Sequence, residues 1–149
     1  MKKSLYLLVV LLSFTIMGCS NDMSGDKPPE VYIKIGKEKY ETKLGAYCWN
    51  GTCTDTAGPI ELLKGTVPIN AIPGEEISFI MDYETKPNEF HLVQIHESKE
   101  NEILIKENGF SSPTQKGIYY YSYGVWWIDE KEENLSKGDA FYAFVLEVK

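Results

Sequence analysis

Residues Lys116 to Trp127 read "KGIYYYSYGVWW", and eight of these twelve positions are aromatic or β-branched. Such side chains fit a pleated, half-buried surface and lose freedom in a helix. Turn-forming runs bound the segment, "SPTQKG" before it and "LSKGDA" after it, so it is predicted to be a strand. Extended backbone sends alternate side chains to opposite faces. One face carries Tyr119, Tyr121, Tyr123, Val125 and Trp127. The other carries Ile118, Tyr120, Ser122, Gly124, Trp126 and Ile128, bulky at its ends and small in the middle.

The same punctuation recurs along the chain, in "KIGKEK", "WNGT", "TAGP", "IPGEE", "TKPNE" and "KENGF". Between these turns lie short runs rich in Val, Ile, Tyr, Phe and Thr. "VYIKI" (Val31 to Ile35) alternates, and "EISFIMDY" places Ile77, Phe79, Met81 and Tyr83 opposite Ser78 and Asp82. "FHLVQIH" (Phe90 to His96), "EILIK" (Glu102 to Lys106) and "AFYAFVLEV" (Ala140 to Val148) complete the set. No ten-residue segment shows a 3.6-residue apolar period, and "EKEENLSKGD" is polar nearly all round and reads as a loop. Many short strands separated by turns predict an all-β, antiparallel β-sandwich.

Gly117-Ile118-Tyr119 resembles the Gly-x-Tyr tyrosine corner of immunoglobulin and fibronectin type III sandwiches. The resemblance implies an immunoglobulin-like domain with Tyr119 facing the core and its hydroxyl bonded back to the preceding connection. Tyr121 stands where an antibody-type domain has its second cysteine, so the likeness is to bacterial immunoglobulin-like modules. On the final strand, Tyr142, Phe144, Leu146 and Val148 then point inward and Phe141, Ala143 and Val145 outward.

"YCWNGTCTD" (Tyr47 to Asp55) places Asn50-Gly51 between two cysteines. Asn-Gly is a strong hairpin signal because both residues tolerate the positive φ of a type I′ turn. Trp49 then faces Thr52, and Cys48 lies directly opposite Cys53 at about 4.5 Å between Cα atoms. That spacing suits a disulfide. A zinc site needs four ligands, and a thioredoxin-type site needs C-x-x-C at the start of a helix; neither fits. A regulatory thiol switch is the other reading, and a disulfide Cys48–Cys53 is the expectation.

The chain opens "MKKSLYLLVVLLSFTIMGCSND". Lys2 and Lys3, then the apolar run Leu5 to Met17, form the pattern of a secretory signal, too short for a permanent span of roughly 20 residues. Ile16-Met17-Gly18-Cys19 resembles the lipobox of bacterial lipoproteins. The resemblance implies a signal peptide over residues 1–18, cleavage before Cys19 and diacylglycerol on its sulfur. The expected location is the cell membrane, lipid-anchored on the extracytoplasmic face. "SNDMSGDKPPE" is the composition of a flexible tether, so residues 19–29 are assigned to a tether and residues 30–149 to one sandwich domain of about 120 residues. The chain is similar over most of its length to uncharacterised lipoproteins of low-GC Gram-positive bacteria that carry such a domain.

Without residues 1–18 the chain has 13 lysines against 22 acids, a formal charge near −9, and it has no arginine. Nucleic acid is therefore not an expected partner. His91 and His96 are five apart in one predicted strand and point to opposite faces, so they do not ligate one metal together. No G-x-S-x-G, S-x-x-K or H-E-x-x-H motif and no glycine-rich phosphate loop occurs. "DEKEE" (Asp129 to Glu133) offers oxygen ligands for a weak calcium site or forms a solvated loop. No metal, cofactor or catalytic residue is assigned.

The outward face of the two aromatic strands shows Tyr120, Trp126 and Phe141 around a floor of Ser122, Gly124 and Ala143. This face is either a binding site, since exposed apolar patches mark contact surfaces, or is covered by loops or other strands. The expected function is a non-catalytic binding module whose partner is an envelope protein or a wall glycan. A small wall enzyme using a surface carboxylate pair is the alternative.

Overall fold

The computed structural model describes residues 23–132 and 134–149. The expected signal peptide, the expected lipidation site Cys19 and the first part of the expected tether lie outside the described residues. Among the described residues, no helix is long and apolar enough to cross a membrane.

Among the described residues, eleven strands and one short helix follow in order. They are β1 (Val31–Ile35), β2 (Glu38–Glu41), β3 (Lys43–Trp49), β4 (Thr52–Thr54), α1 (Pro59–Leu62), β5 (Ile69–Ala71), β6 (Glu76–Met81), β7 (Glu89–His96), β8 (Lys99–Ile103), β9 (Gly109–Ser111), β10 (Gly117–Ile128) and β11 (Ser136–Val148). A four-stranded sheet, β2-β1-β6-β9, packs against a seven-stranded one, β4-β3-β11-β10-β7-β8, in which β5 pairs in parallel with the end of β11. With β2 to β4 set aside, the order β1-β6-β9 against β8-β7-β10-β11 is that of an immunoglobulin-type sandwich. The hairpin β3–β4 is an addition that widens the larger sheet beyond β11.

The predicted parity holds on both long strands. Tyr119, Tyr121, Tyr123, Val125, Trp127, Tyr142, Phe144, Leu146 and Val148 are all buried between the sheets, facing Val31, Ile33, Ile77, Phe79 and Phe110. Phe79 stacks on Tyr123 at 3.9 Å, Tyr121 on Phe144 at 4.8 Å, and Trp49 meets Trp127 edge-on at 4.9 Å. Each such pair contributes about 0.5–1.5 kcal/mol beyond its area burial. Buried phenols and indoles need partners, and Tyr121, Trp127 and Tyr142 have them. Tyr121 donates to Gln94 Oε1 (2.9 Å), Trp127 Nε1 to the Thr85 carbonyl (2.7 Å) and Tyr142 to the Pro29 carbonyl (2.6 Å). Burial pushes the phenols of Tyr121 and Tyr142 well up and that of Tyr123 to about 12, so all stay neutral.

The tyrosine corner is in place. Tyr119 Oη donates to the Gln115 carbonyl at 2.8 Å, and His96 stacks on its ring at 4.3 Å while hydrogen-bonding the Ile118 carbonyl.

Several boundaries differ from the sequence reading. Glu97 and Ser98 take positive φ (48° and 64°) and make a tight turn without glycine. The strand expected over 102–106 therefore begins at Lys99. Strand β11 starts at Ser136 and not at Ala140, and α1 occupies part of what read as a turn.

The tether is the largest correction. Residues 23–29 do not behave as a free linker: Met23 is buried in the core. Its amide donates to Asn50 Oδ1 and its carbonyl accepts from Asn50 Nδ2, both at 2.8 Å. Trp49 Nε1 donates to the Gly25 carbonyl at 3.0 Å, and Tyr83 and Ser24 exchange hydrogen bonds. The side chain at the corner of the hairpin supplies this segment with the partners that a linker would take from water.

Candidate functional site

The outward face of the larger sheet is built from three rows of side chains fixed by strand register. Glu89, Trp126, Asp139, Cys48 and Cys53 form the first row, across β7, β10, β11, β3 and β4. His91, Gly124 and Phe141 form the second, and Val93, Ser122, Ala143 and Lys43 the third. Side chains facing each other across neighbouring strands are in reach of one another.

Two glycines decide how the aromatics lie. A Cβ on Gly124 would sit 2.7 Å from Trp126 Cη2, so the indole folds back onto its own strand over that glycine. A Cβ on Gly45 would sit 2.1 Å from Phe141 Cζ, so the Phe141 ring occupies the space that a side chain there would need. Glycine within a strand permits such close approach. Both rings pack against glycines of the sheet, and the small-residue floor expected from the sequence is in part their bed.

The predicted trio is divided by α1 and the residue after it. Leu63 is buried on Ala143 and Val145, with Leu62, Tyr120 and Phe141 packed around them. Lys43 Nζ donates to the Leu62 carbonyl at 3.1 Å and ties this cover to β3. Tyr120 therefore belongs to a satellite core and not to an open binding face. Ala143 and Val145, expected outside, are buried for the same reason. Trp126 and Phe141 instead line an open groove of about 460 Å³, with Ser122, Tyr47, the cystine and Asp55 among its other walls.

The cystine is where the hairpin reading placed it. Cys48 and Cys53 are bonded with Cα atoms 4.0 Å apart, and Asn50 and Gly51 between them take φ of 49° and 77°. The bond forms one rim of the groove.

Electrostatics come mostly from carboxylates. His91 stands edge-on to Trp126 at 5.5 Å, with Nδ1 2.6 Å from Glu102 Oε1 and Nε2 3.2 Å from Glu89 Oε1. Its pKa is raised, chiefly by the hydrogen bond to Glu102 and then by that to Glu89. Asp139, half-buried, and Asp55, exposed, line the groove on the opposite side. His91 and His96 point to opposite faces, as their odd spacing requires.

The acidic loop 129–133 is partly described. Asp129 accepts from the amide of Lys131 (2.7 Å) and pairs with Lys137 (3.1 Å), which together hold its carboxyl below the usual range, the amide being the larger cause. Its oxygens are thus engaged within the turn. Among the described residues no cluster of three His, Cys, Asp or Glu is placed to hold a metal ion.

Comparison with family models, curated proteins and solved structures gives no match to this chain. The site must be read from its own chemistry. Sequence reasoning missed Asp139, Asp55 and the carboxylate pair on His91. Alternation along β7 would have put Glu89 and His91 on the Trp126 face once β7 was known to pair with β10, but that pairing is not visible locally.

Proposed function

We propose that this protein is a lipid-anchored, extracytoplasmic binding module, and that the groove between Trp126 and Phe141 takes a wall glycan. One observation carries the choice of site: Trp126 and Phe141 each pack against a glycine of one sheet face and line an open, mostly apolar groove that has Asp55, Asp139 and Ser122 among its walls. Its volume falls in the range of small-ligand pockets, roughly 300–1,000 Å³. A stable protein interface needs about 800 Å² of fairly flat surface on each partner, and α1 closes half of the face that would supply it. Flat aromatic surface with carboxylates and hydroxyls at the edge suits sugar rings, which are apolar above and below and polar around the rim. The anchor rests on "IMGC" and the charged, apolar start of the chain; two acyl chains hold a protein firmly at the bilayer.

The test is co-sedimentation of the full chain, in detergent, with purified cell-wall sacculi. Retention of the wild type and of Tyr120→Ala, with loss in Trp126→Ala, is the expected result. Absence of retention for the wild type overturns the glycan reading.

A second reading, a small wall-active enzyme, draws on Asp55 and Asp139 lining one groove, since glycoside hydrolysis uses two carboxylates. Release of soluble fragments from the sacculi, abolished by Asp139→Asn, is what would establish it.

A further inference from the structure

We infer that the glycan taken by this groove is cationic, an oligosaccharide whose hexosamine units carry free amino groups. The inference rests on the glycan-binding reading and adds the charge of the ligand to it. Asp139 and Asp55 stand on one side of the groove. His91 lines the other side, with Glu102 and Glu89 hydrogen-bonded to it just outside the groove. No lysine is among the lining residues. The nearest lysine fixed by register on this face, Lys43, is turned to the Leu62 carbonyl on the covered half. Asp139 has no hydrogen-bond or ion-pair partner within the protein among the described residues, so its carboxylate is free to accept from a ligand.

Trp126 supplies the second element. Its indole packs against Gly124 through the Cη2–Cζ3 edge, is half-buried and lines the groove beside Asp139, its cross-strand neighbour. A cation over an indole face is attracted by the ring quadrupole, most strongly for tryptophan. A carboxylate beside such a face completes a site for an ammonium group: the ring takes the apolar side of the carbon bearing it, and the carboxylate takes its N–H donors. Anionic polymers meet the opposite field. They are repelled by the carboxylates of Asp55 and Asp139 that line the groove, and by those of Glu89 and Glu102 on the far side of His91. Charge complementarity therefore selects an amine-bearing sugar over a neutral or phosphorylated one.

The experiment compares three probes against the full chain in detergent by calorimetry at about pH 6, where amines are protonated. They are a glucosamine tetramer, its fully N-acetylated counterpart and a trilysine peptide. The glucosamine tetramer is expected to bind about tenfold more tightly than the acetylated one, and Asp139→Asn to remove most of that advantage. Equal binding of the two sugars overturns the charge selection and leaves a glycan groove. Trilysine binding as tightly as the amino sugar overturns the glycan half, since charge alone would then suffice. No binding of either sugar overturns both this inference and the glycan reading. Asp139→Asn is isosteric, and an unchanged unfolding midpoint for it separates lost recognition from lost fold.

Discussion

Tyr120 and Trp126 lie on the same strand and the same face, and both are half-buried aromatics. Tyr120 packs into a small core with Leu62, Leu63, Ala143 and Val145. Trp126 lies on Gly124 at the edge of an open groove. The difference is made by a few residues inserted between β4 and β5, which fold over one half of the sheet and leave the other bare. An outward-facing aromatic is therefore not a binding residue by virtue of its parity. What distinguishes the two is the chain that passes above them.

The covered half should be the costlier to disturb. Leu63 is 3% exposed, and truncating a buried leucine to alanine costs about 2–5 kcal/mol. Leu63→Ala is expected near the low end, about 2–3 kcal/mol, because α1 lies at the surface and can settle into part of the space. Urea unfolding measures this directly. A loss under about 0.5 kcal/mol, the ordinary range for surface changes, would mean that the cover is not packed and that the two halves are alike.

On the open half the cystine should be the main stabilising feature. The loop it closes is short, so Cys48→Ser is expected to cost about 2 kcal/mol through the entropy of the unfolded chain. The same variant should leave Leu63 and its neighbours protected from hydrogen exchange. Reactivity of both Cys48 and Cys53 in a free-thiol assay of unreduced protein would remove the premise.

Much of this architecture was legible in the chain. Alternation in "GIYYYSYGVWWI" and "AFYAFVLEV" set both inner faces correctly, because side-chain period in a strand is fixed by backbone geometry. Asn50-Gly51 placed the hairpin and the cystine, since few dipeptides accept two positive φ values cheaply. Glu97-Ser98 makes a similar turn with residues that carry no such signal, and the strand after it was accordingly misplaced. The site was half legible. Trp126 and Phe141 stood out, whereas the loss of Tyr120 to α1 depends on a tertiary contact from residues that are nearly eighty positions distant from β11. The docking of Met23 on Asn50 was hidden for a similar reason: a polar composition with Ser, Asp, Gly and Pro describes a linker only when nothing offers it hydrogen bonds.

The smallest of these effects concerns His91, and it tests whether the open half behaves as one electrostatic unit. Glu102 and Glu89 raise its pKa in the folded state, Glu102 more than Glu89. A group raised on folding binds its proton more tightly in the native state. The resulting stabilisation is fully present below the unfolded value of about 6.5 and is lost as pH rises through the folded value. The ring is solvent-exposed, so screening keeps the gain small. Two-dimensional NMR of the imidazole should show His91 titrating above its ordinary value. Glu102→Gln should lower the midpoint more than Glu89→Gln, in keeping with contacts of 2.6 and 3.2 Å. The unfolding free energy of the wild type should fall slightly relative to His91→Gln between about pH 6 and pH 8. A midpoint at or below about 6.5 would show that the two carboxylates point to solvent instead of to the imidazole. The carboxylates on the two sides of the groove would then have to be treated as separate charges, and the contrast between a packed half and a polar half would rest on Trp126 alone.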